Sequence, residues 1–133
     1  MKKNILFVCI ENSNRSQMAE AFARMHGENI VNAFSAGSRP SGKVNPLALE
    51  AMKRKGYDLT LHKSKSVDEF RKMNFDYVIT MGCGDECPFI PAKHIVDWDI
   101  PDPKEMPLKE FFTIRDLIEA KVKLLLEIIA KEN

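Results

Sequence analysis

Near the N-terminus, the stretch VCIENSNRSQ places five residues between Cys9 and Arg15, with Ser16 directly after the arginine. A thiol, a guanidinium and a hydroxyl at this spacing suit the capture and attack of a tetrahedral oxyanion. The backbone N–H groups of Ile10, Glu11, Asn12, Ser13, Asn14 and Arg15 can curl into a nest around an anion. Arg15 can offer a planar fork to two of its oxygens. Cys9 would then be a nucleophile aimed at the central atom, and Ser16 a hydrogen-bond donor to the thiolate. Cysteines in such fields typically titrate at ~3.5–7.5 instead of about 8.5. The plainer reading, a small buried residue closing a strand, leaves the arginine and serine unexplained. The loop has no glycine and no G-x-x-x-x-G-K-[ST] pattern, so a Walker-type or Rossmann phosphate loop is excluded.

The elements that must hold this loop follow from periodicity. Residues 4 to 9 are an apolar run with strand character, and from Arg15 to His26 apolar residues recur at helical spacing. IVNAFSAG is a second strand. Asn45 followed by Pro46 starts a second helix, and Gly56 closes it. Ser66, with Glu69 three residues on, predicts a short capped helix. FDYVITMG is a third strand, GDECPF a turn or one helical turn, and KHIVDW a short fourth strand. A long helix from about Leu108 to Lys131 ends the chain, with Phe111, Phe112, Ile114, Leu117, Ile118, Val122, Leu125 and Ile129 on its apolar face. Strands alternating with helices predict an α/β fold: a four-stranded parallel doubly wound sheet, order 2-1-3-4, flavodoxin-like, with helices on both faces. Ligands of such sheets sit at the carboxyl ends of the strands, near the reversal of strand order. Cys9 falls at that point.

Bulk properties narrow the setting. The 133 residues suit a single domain over 1–133. A net charge of +1 gives no bulk attraction to nucleic acid or membrane, so neither is an expected partner. The N-terminal apolar run is too short for a signal peptide or a membrane span. A cytoplasmic, reducing location is therefore expected, with free thiols at Cys9, Cys83 and Cys87. No oligomer interface is legible, and a monomer is expected.

VCIENSNRSQMAEA resembles the nucleophile loop of the low-molecular-weight protein tyrosine phosphatase superfamily, and more closely its thioredoxin-coupled arsenate reductase branch. FSAG, VNPLALEAM, ITMGCGDECPFIP and DWDIPDP fall where that branch has similar segments, so the likeness spans nearly the whole chain. It implies a low-molecular-weight phosphatase-like fold and arsenate or a phosphate-like oxyanion as substrate. It also implies Asp102, ahead of Pro103, as the general acid for the leaving oxygen. Such an acid must be protonated, which calls for a seat beside the anion or away from water. Asp97, Asp99 and Glu105 are nearby competitors. True tyrosine phosphatases usually have an aromatic residue after this Asp-Pro; Lys104 stands there instead.

Reduction needs more than one thiol, which gives Cys83 and Cys87 their implied role. Cys9 attacks arsenate; a second thiol, Cys83 by preference, attacks Cys9; arsenite leaves; and the disulfide passes to the surface by thiol–disulfide exchange. Four helical residues rise about 6 Å, within the ~4.4–6.8 Å of disulfide Cα separations, and Gly82 and Gly84 supply freedom of movement. The commonest pattern has its first cysteine directly after a residue equivalent to Met81. Here Gly82 intervenes, so an external thiol such as mycothiol is an alternative to the internal relay. No bound cofactor is implied; an external reductant of thioredoxin, glutaredoxin or mycothiol type is.

Cys83, Cys87 and His94 form C-x3-C-x6-H but lack a fourth zinc ligand at convincing spacing, so no metal is expected. His26 and His62 are expected at the surface. Lys65 stands where some arsenate reductases have a potassium-binding aspartate, and its ammonium is expected to replace that ion. The rival functions are phosphomonoester hydrolysis by Cys9, Arg15 and Asp102, which in weak form can coexist with reduction, and non-catalytic oxyanion sensing.

Overall fold

Strand β1 (Lys3–Cys9) has a neighbour on each edge, so its residues must be apolar toward both faces of the sheet. Ile5, Leu6, Phe7 and Val8 are accordingly fully buried. The computed structural model, which describes residues 2 to 84 and 87 to 132, arranges the other elements around this strand. They are helix α1 (Arg15–Gly27), strand β2 (Val31–Gly37), helix α2 (Pro46–Lys53), strand β3 (Phe75–Thr80), strand β4 (Ala92–Asp97) and helix α3 (Leu108–Glu132). The four strands are parallel and ordered β2-β1-β3-β4, as the alternation of elements predicts.

Successive side chains of β1 point to opposite faces. Ile5, Phe7 and Cys9 join a core shared with α1, α2 and α3, including Met18, Phe22, Met52, Phe111 and Ile118. Leu6 and Val8 face the other way, onto Val67, Phe70, Phe75, Val78 and Ile90. The cover on this second face is a 3-10 turn, Val67–Phe70. Its N-cap is Ser66, as expected, but the hydroxyl accepts from the Asp68 amide, and the segment is too short for a full α-helix. Another 3-10 turn, Leu59–Leu61, follows the Gly56 break and is capped by Asp58.

Local chemistry sets most element ends. The Asn45 side chain accepts from the Leu47 amide, and Pro46 occupies the first helical turn. Strand β3 stops at Thr80, short of the expected Gly82. Met81 N–H still bonds to the Val8 carbonyl, and Gly82 then turns away with φ +81°. The expected turn across GDECPF includes Asp85 and Glu86, which lie outside the described residues; on either side of them, Cys87 N–H bonds to the Gly84 carbonyl at 3.2 Å. On α3, Leu117 is 39% exposed while Leu126 is buried. The buried stripe through residues 111, 114, 118, 122, 125 and 129 keeps to a 3.6-residue period, and 117 sits to one side of it. Among the described residues, no helix is long and apolar enough to cross a membrane.

Glu119 of α3 joins three elements. Its carboxylate lies 2.8 Å from His26 at the end of α1 and 2.8 Å from Lys55 after α2. Burial alone would raise its pKa, but the hydrogen bonds from Lys55 and His26 outweigh it and hold the group below the usual carboxylate range. An acid depressed in the folded state contributes stability above its unfolded pKa and loses it as pH falls through the folded value. Glu119→Gln is therefore expected to cost about 1–3 kcal/mol at pH 7. In urea unfolding, the gap from the parent protein should narrow as pH drops below about 4.

Candidate active site

The loop from Cys9 to Arg15 is shaped by where its carbonyls go. Cys9 O accepts from Ser38 N–H, Ile10 O from Arg39 N–H, and Glu11 O from Ser41 N–H and the Ser64 hydroxyl. Asn12 O accepts from the Gln17 side chain, Ser13 O from Asn45 N–H, and Asn14 O from Met18 N–H. A trans peptide holds C=O and N–H on opposite sides. Six carbonyls drawn toward the surrounding protein thus turn the amides of Ile10, Glu11, Asn12, Ser13, Asn14 and Arg15 the other way. Asn12 completes the curl with φ +51°, a left-handed conformation that asparagine tolerates better than most residues. Gly37 makes the fit possible: a Cβ there would lie 2.5 Å from Ile10 O and 2.9 Å from Asn12 N.

Cys9, Ile10, Glu11, Ser13, Asn14 and Arg15 line a cavity of about 130 Å³, with Arg39, Asp102 and Lys104 also contributing to it. Cys9 is a free, buried cysteine, and its Sγ is 2.8 Å from Ser16 Oγ. Arg15 opens α1, is 5% exposed, and donates from Nη1 to the Ile100 carbonyl at 3.1 Å. Helix α1 has no side-chain cap from Asn14, so its first turn keeps free N–H groups beside the cavity. Asp102 Oδ2 lies 3.7 Å from Arg15 Nη2. Its side chain is 52% exposed and lines the cavity, so it does not sit away from water. Lys104 reaches Glu11 at 2.7 Å across the rim, which raises the lysine's pKa.

Cys83 and Cys87 form a disulfide with Cα atoms 5.2 Å apart. They are oxidised here, where free thiols were expected of the reducing setting. Cys83 is buried and Cys87 half-buried. Gly82 and Gly84 both have positive φ, +81° and +56°. Gly82 lies hard against the arginine: a Cβ on it would stand 2.5 Å from Arg15 Nη1 and 3.0 Å from Ile100 O. The chain thus passes the guanidinium immediately before Cys83. His94 is not drawn to the two cysteines; its ring stacks on Tyr77 at 4.7 Å.

His62 departs from expectation. It is not a surface residue: its side chain is 6% exposed, 2.9 Å from Gln17 Oε1 and 2.6 Å from Tyr57 Oη. His26 is partly covered by its contact with Glu119 and by stacking on Phe22. Lys65 Nζ stands 3.9 Å from the buried Glu20 carboxylate. Gln17, His62, Gly37 and the Ile100 carbonyl support the loop yet give no local sequence signal, because each acts from a segment distant in the chain.

The family model described as low molecular weight phosphotyrosine protein phosphatase matches residues 4–133. An arsenate reductase of Staphylococcus aureus (strain Newman) is 39% identical over 92% of this chain and 95% of its own length. A solved structure described as an arsenate reductase in the phosphate binding state superposes with TM-score 0.87 at 34% identity, covering 97% of this chain and 99% of that one. A thioredoxin-dependent arsenate reductase of Corynebacterium glutamicum gives TM-score 0.81 at 34% identity, over 99% of this chain and 64% of that chain. The chain belongs to the low molecular weight phosphotyrosine protein phosphatase family, on its arsenate reductase branch.

Gly82→Ala should displace Arg15 without unfolding the sheet. Loss of one charge-assisted hydrogen bond of about 1.5–3 kcal/mol corresponds to ~10–100-fold weaker phosphate binding. Isothermal titration with inorganic phosphate measures it, and circular dichroism should show an unchanged fold.

Proposed function

We propose that this protein reduces arsenate to arsenite with electrons from its own thiols, replenished by an external thiol reductant. Arsenate enters the cavity and is held by the amides of residues 10 to 15 and by Arg15. A guanidinium as buried as Arg15, whose nearest carboxylate is half exposed, is best satisfied by an anion in that cavity. Cys9 thiolate attacks arsenic, and Asp102 protonates the departing oxygen, which leaves as water. Ser16 donates to the sulfur while it is charged.

The reducing step then follows from the second pair of cysteines. Cys83 attacks the sulfur of Cys9; the S–As bond breaks, its electron pair stays on arsenic, and arsenite departs from a Cys9–Cys83 disulfide. Cys87 attacks Cys83, which frees Cys9 and leaves Cys83–Cys87 oxidised. Two thiols have given two electrons, matching arsenic(V) to arsenic(III). An external dithiol protein of thioredoxin or glutaredoxin type restores the pair, and a reducing compartment such as the cytoplasm sustains the cycle. The half-buried Cys87 is the accessible point of attack; Cys83 is covered.

The observation that carries this reading is the Cys83–Cys87 disulfide directly downstream of the glycine that packs on Arg15, with Cys9 left free. A hydrolase working through Cys9, Arg15 and Asp102 has no use for it. The Lys104–Glu11 ion pair at the rim, in place of an aromatic contact, also suits a small inorganic anion better than an aryl phosphate.

After one arsenate turnover, Cys87→Ser should accumulate a Cys9–Cys83 disulfide detectable by mass mapping. The double variant Cys83→Ser/Cys87→Ser should lose multiple-turnover reduction and keep any phosphatase rate. An intact reduction cycle in the double variant would transfer the resolving role to an outside thiol. Asp102→Asn is expected to slow the first step by ~10²–10⁴-fold in rapid-quench measurements.

A further inference from the structure

Six side chains are joined in series, ending at Ser16 and Cys9. Tyr57 Oη and His62 Nε2 are 2.6 Å apart, and His62 Nδ1 and Gln17 Oε1 are 2.9 Å apart. Gln17 Nε2 reaches Asn12 Oδ1 at 2.8 Å, Asn12 Nδ2 reaches Ser16 Oγ at 2.8 Å, and Ser16 Oγ meets Cys9 Sγ at 2.8 Å.

Three backbone groups dictate the direction of the bonds made by Gln17 and Asn12. Gln17 Nε2 also faces the carbonyls of Asn12 and Lys63, at 3.1 and 2.8 Å, and carbonyls only accept; of its two protons one serves Lys63 O and the other is shared between the two oxygens of Asn12. The amide nitrogen must therefore sit there, and Oε1 must face His62, whose Nδ1 then carries the proton. The Lys65 N–H can only donate, so the atom it meets on Asn12 at 2.8 Å is Oδ1, and Nδ2 faces Ser16. With its oxygen occupied by the Asn12 donor, Ser16 has its own proton free for Cys9. A neutral His62 leaves Nε2 to accept from the Tyr57 hydroxyl. Each link donates toward the sulfur.

The surroundings keep that ring neutral. His62 faces Glu20 at 3.7 Å, with Arg24, Lys65 and Tyr57 also close. Burial lowers its pKa, Arg24 and Lys65 push the same way, and the pull of Glu20 does not overcome them.

We infer that Gln17, His62 and Tyr57 are positioning residues for the nucleophile: their one-way chain holds the Ser16 proton on Cys9 Sγ, the arrangement a thiolate requires. This rests on the reading of Cys9 as the attacking group. In a hydrogen-bond chain each bond strengthens the next by about 10–30%. The far residues therefore act on the sulfur only through Asn12 and Ser16.

The test uses Cys83→Ser/Cys87→Ser protein, in which Cys9 is the sole thiol, and its alkylation by iodoacetamide at pH 6, where the rate follows the thiolate fraction. His62→Leu and Gln17→Met should each slow alkylation roughly two- to threefold. His62→Asn, whose amide can donate to Gln17 from the place of Nδ1, should restore the parental rate. In a Ser16→Ala background, His62→Leu should have no further effect, whereas mere loosening of the loop would slow both backgrounds alike. Should His62→Leu not fold, Tyr57→Phe removes a single hydroxyl and carries the same test, with a slowing of roughly a third that Ser16→Ala abolishes. Parental rates in His62→Leu and Gln17→Met, or equal slowing with and without Ser16, overturn the inference alone. A parent Cys9 that reacts no faster than free cysteine overturns the reading of Cys9 itself.

Discussion

Every carbonyl from Cys9 to Asn14 is claimed by a donor elsewhere in the protein, and that arrangement turns the six amides that follow them the other way. The partners come from three places: the segment after β2, the N-cap of α2 with the first turn of α1, and the stretch around Ser64. The cradle is therefore a consequence of the fold closing around the loop. Glycine-rich phosphate loops use flexibility to bring amides inward. This loop, with no glycine of its own, uses external anchoring, and the small residue it needs lies across from it at Gly37.

The same economy governs the redox segment. A buried guanidinium must keep its partners, and Arg15 Nη1 meets the Ile100 carbonyl with Gly82 pressed against both. Because Gly82 has no side chain, the chain carrying Cys83 passes within van der Waals reach of the arginine. Gly82 and Gly84 both have positive φ, and Cys83 and Cys87, four residues apart, are joined with their Cα atoms 5.2 Å apart. The cavity beside Cys9 and the cysteine pair thus adjoin the same arginine.

Buried polar groups are costly unless fully paired. Asn12, Ser16, Gln17, Glu20 and Ser35 are all buried, and each has hydrogen-bond partners within the protein. Such a cluster is dear to assemble, yet once satisfied it allows few alternative rotamers. Apart from Ser35 on β2, it sits on the helix and loop that follow Cys9, where a displaced hydroxyl or amide would matter most. The α/β core on both sides of β1 supplies the apolar burial that offsets that cost.

Much of this protein is legible in its residues. Apolar runs and helical spacing are short-range properties, so the order of strands and helices, the cap at Asn45 and the parallel sheet follow from local chemistry. The conjunction of Cys9, Arg15 and Ser16 is local as well, since all three lie at one strand-to-helix junction. What the linear chain could not decide were contacts between segments far apart in it. Burial of His62 depends on Gln17, 45 residues away, and on Tyr57 meeting its other nitrogen; nothing in HKSK distinguishes a buried histidine from an exposed one. The half-exposed seat of Asp102, the closeness of Gly82 to Arg15 and the short 3-10 cover of the second face were likewise settled by packing. Side-chain chemistry is written residue by residue, whereas desolvation and hydrogen-bond direction depend on which distant groups the folded chain brings within about 3 Å.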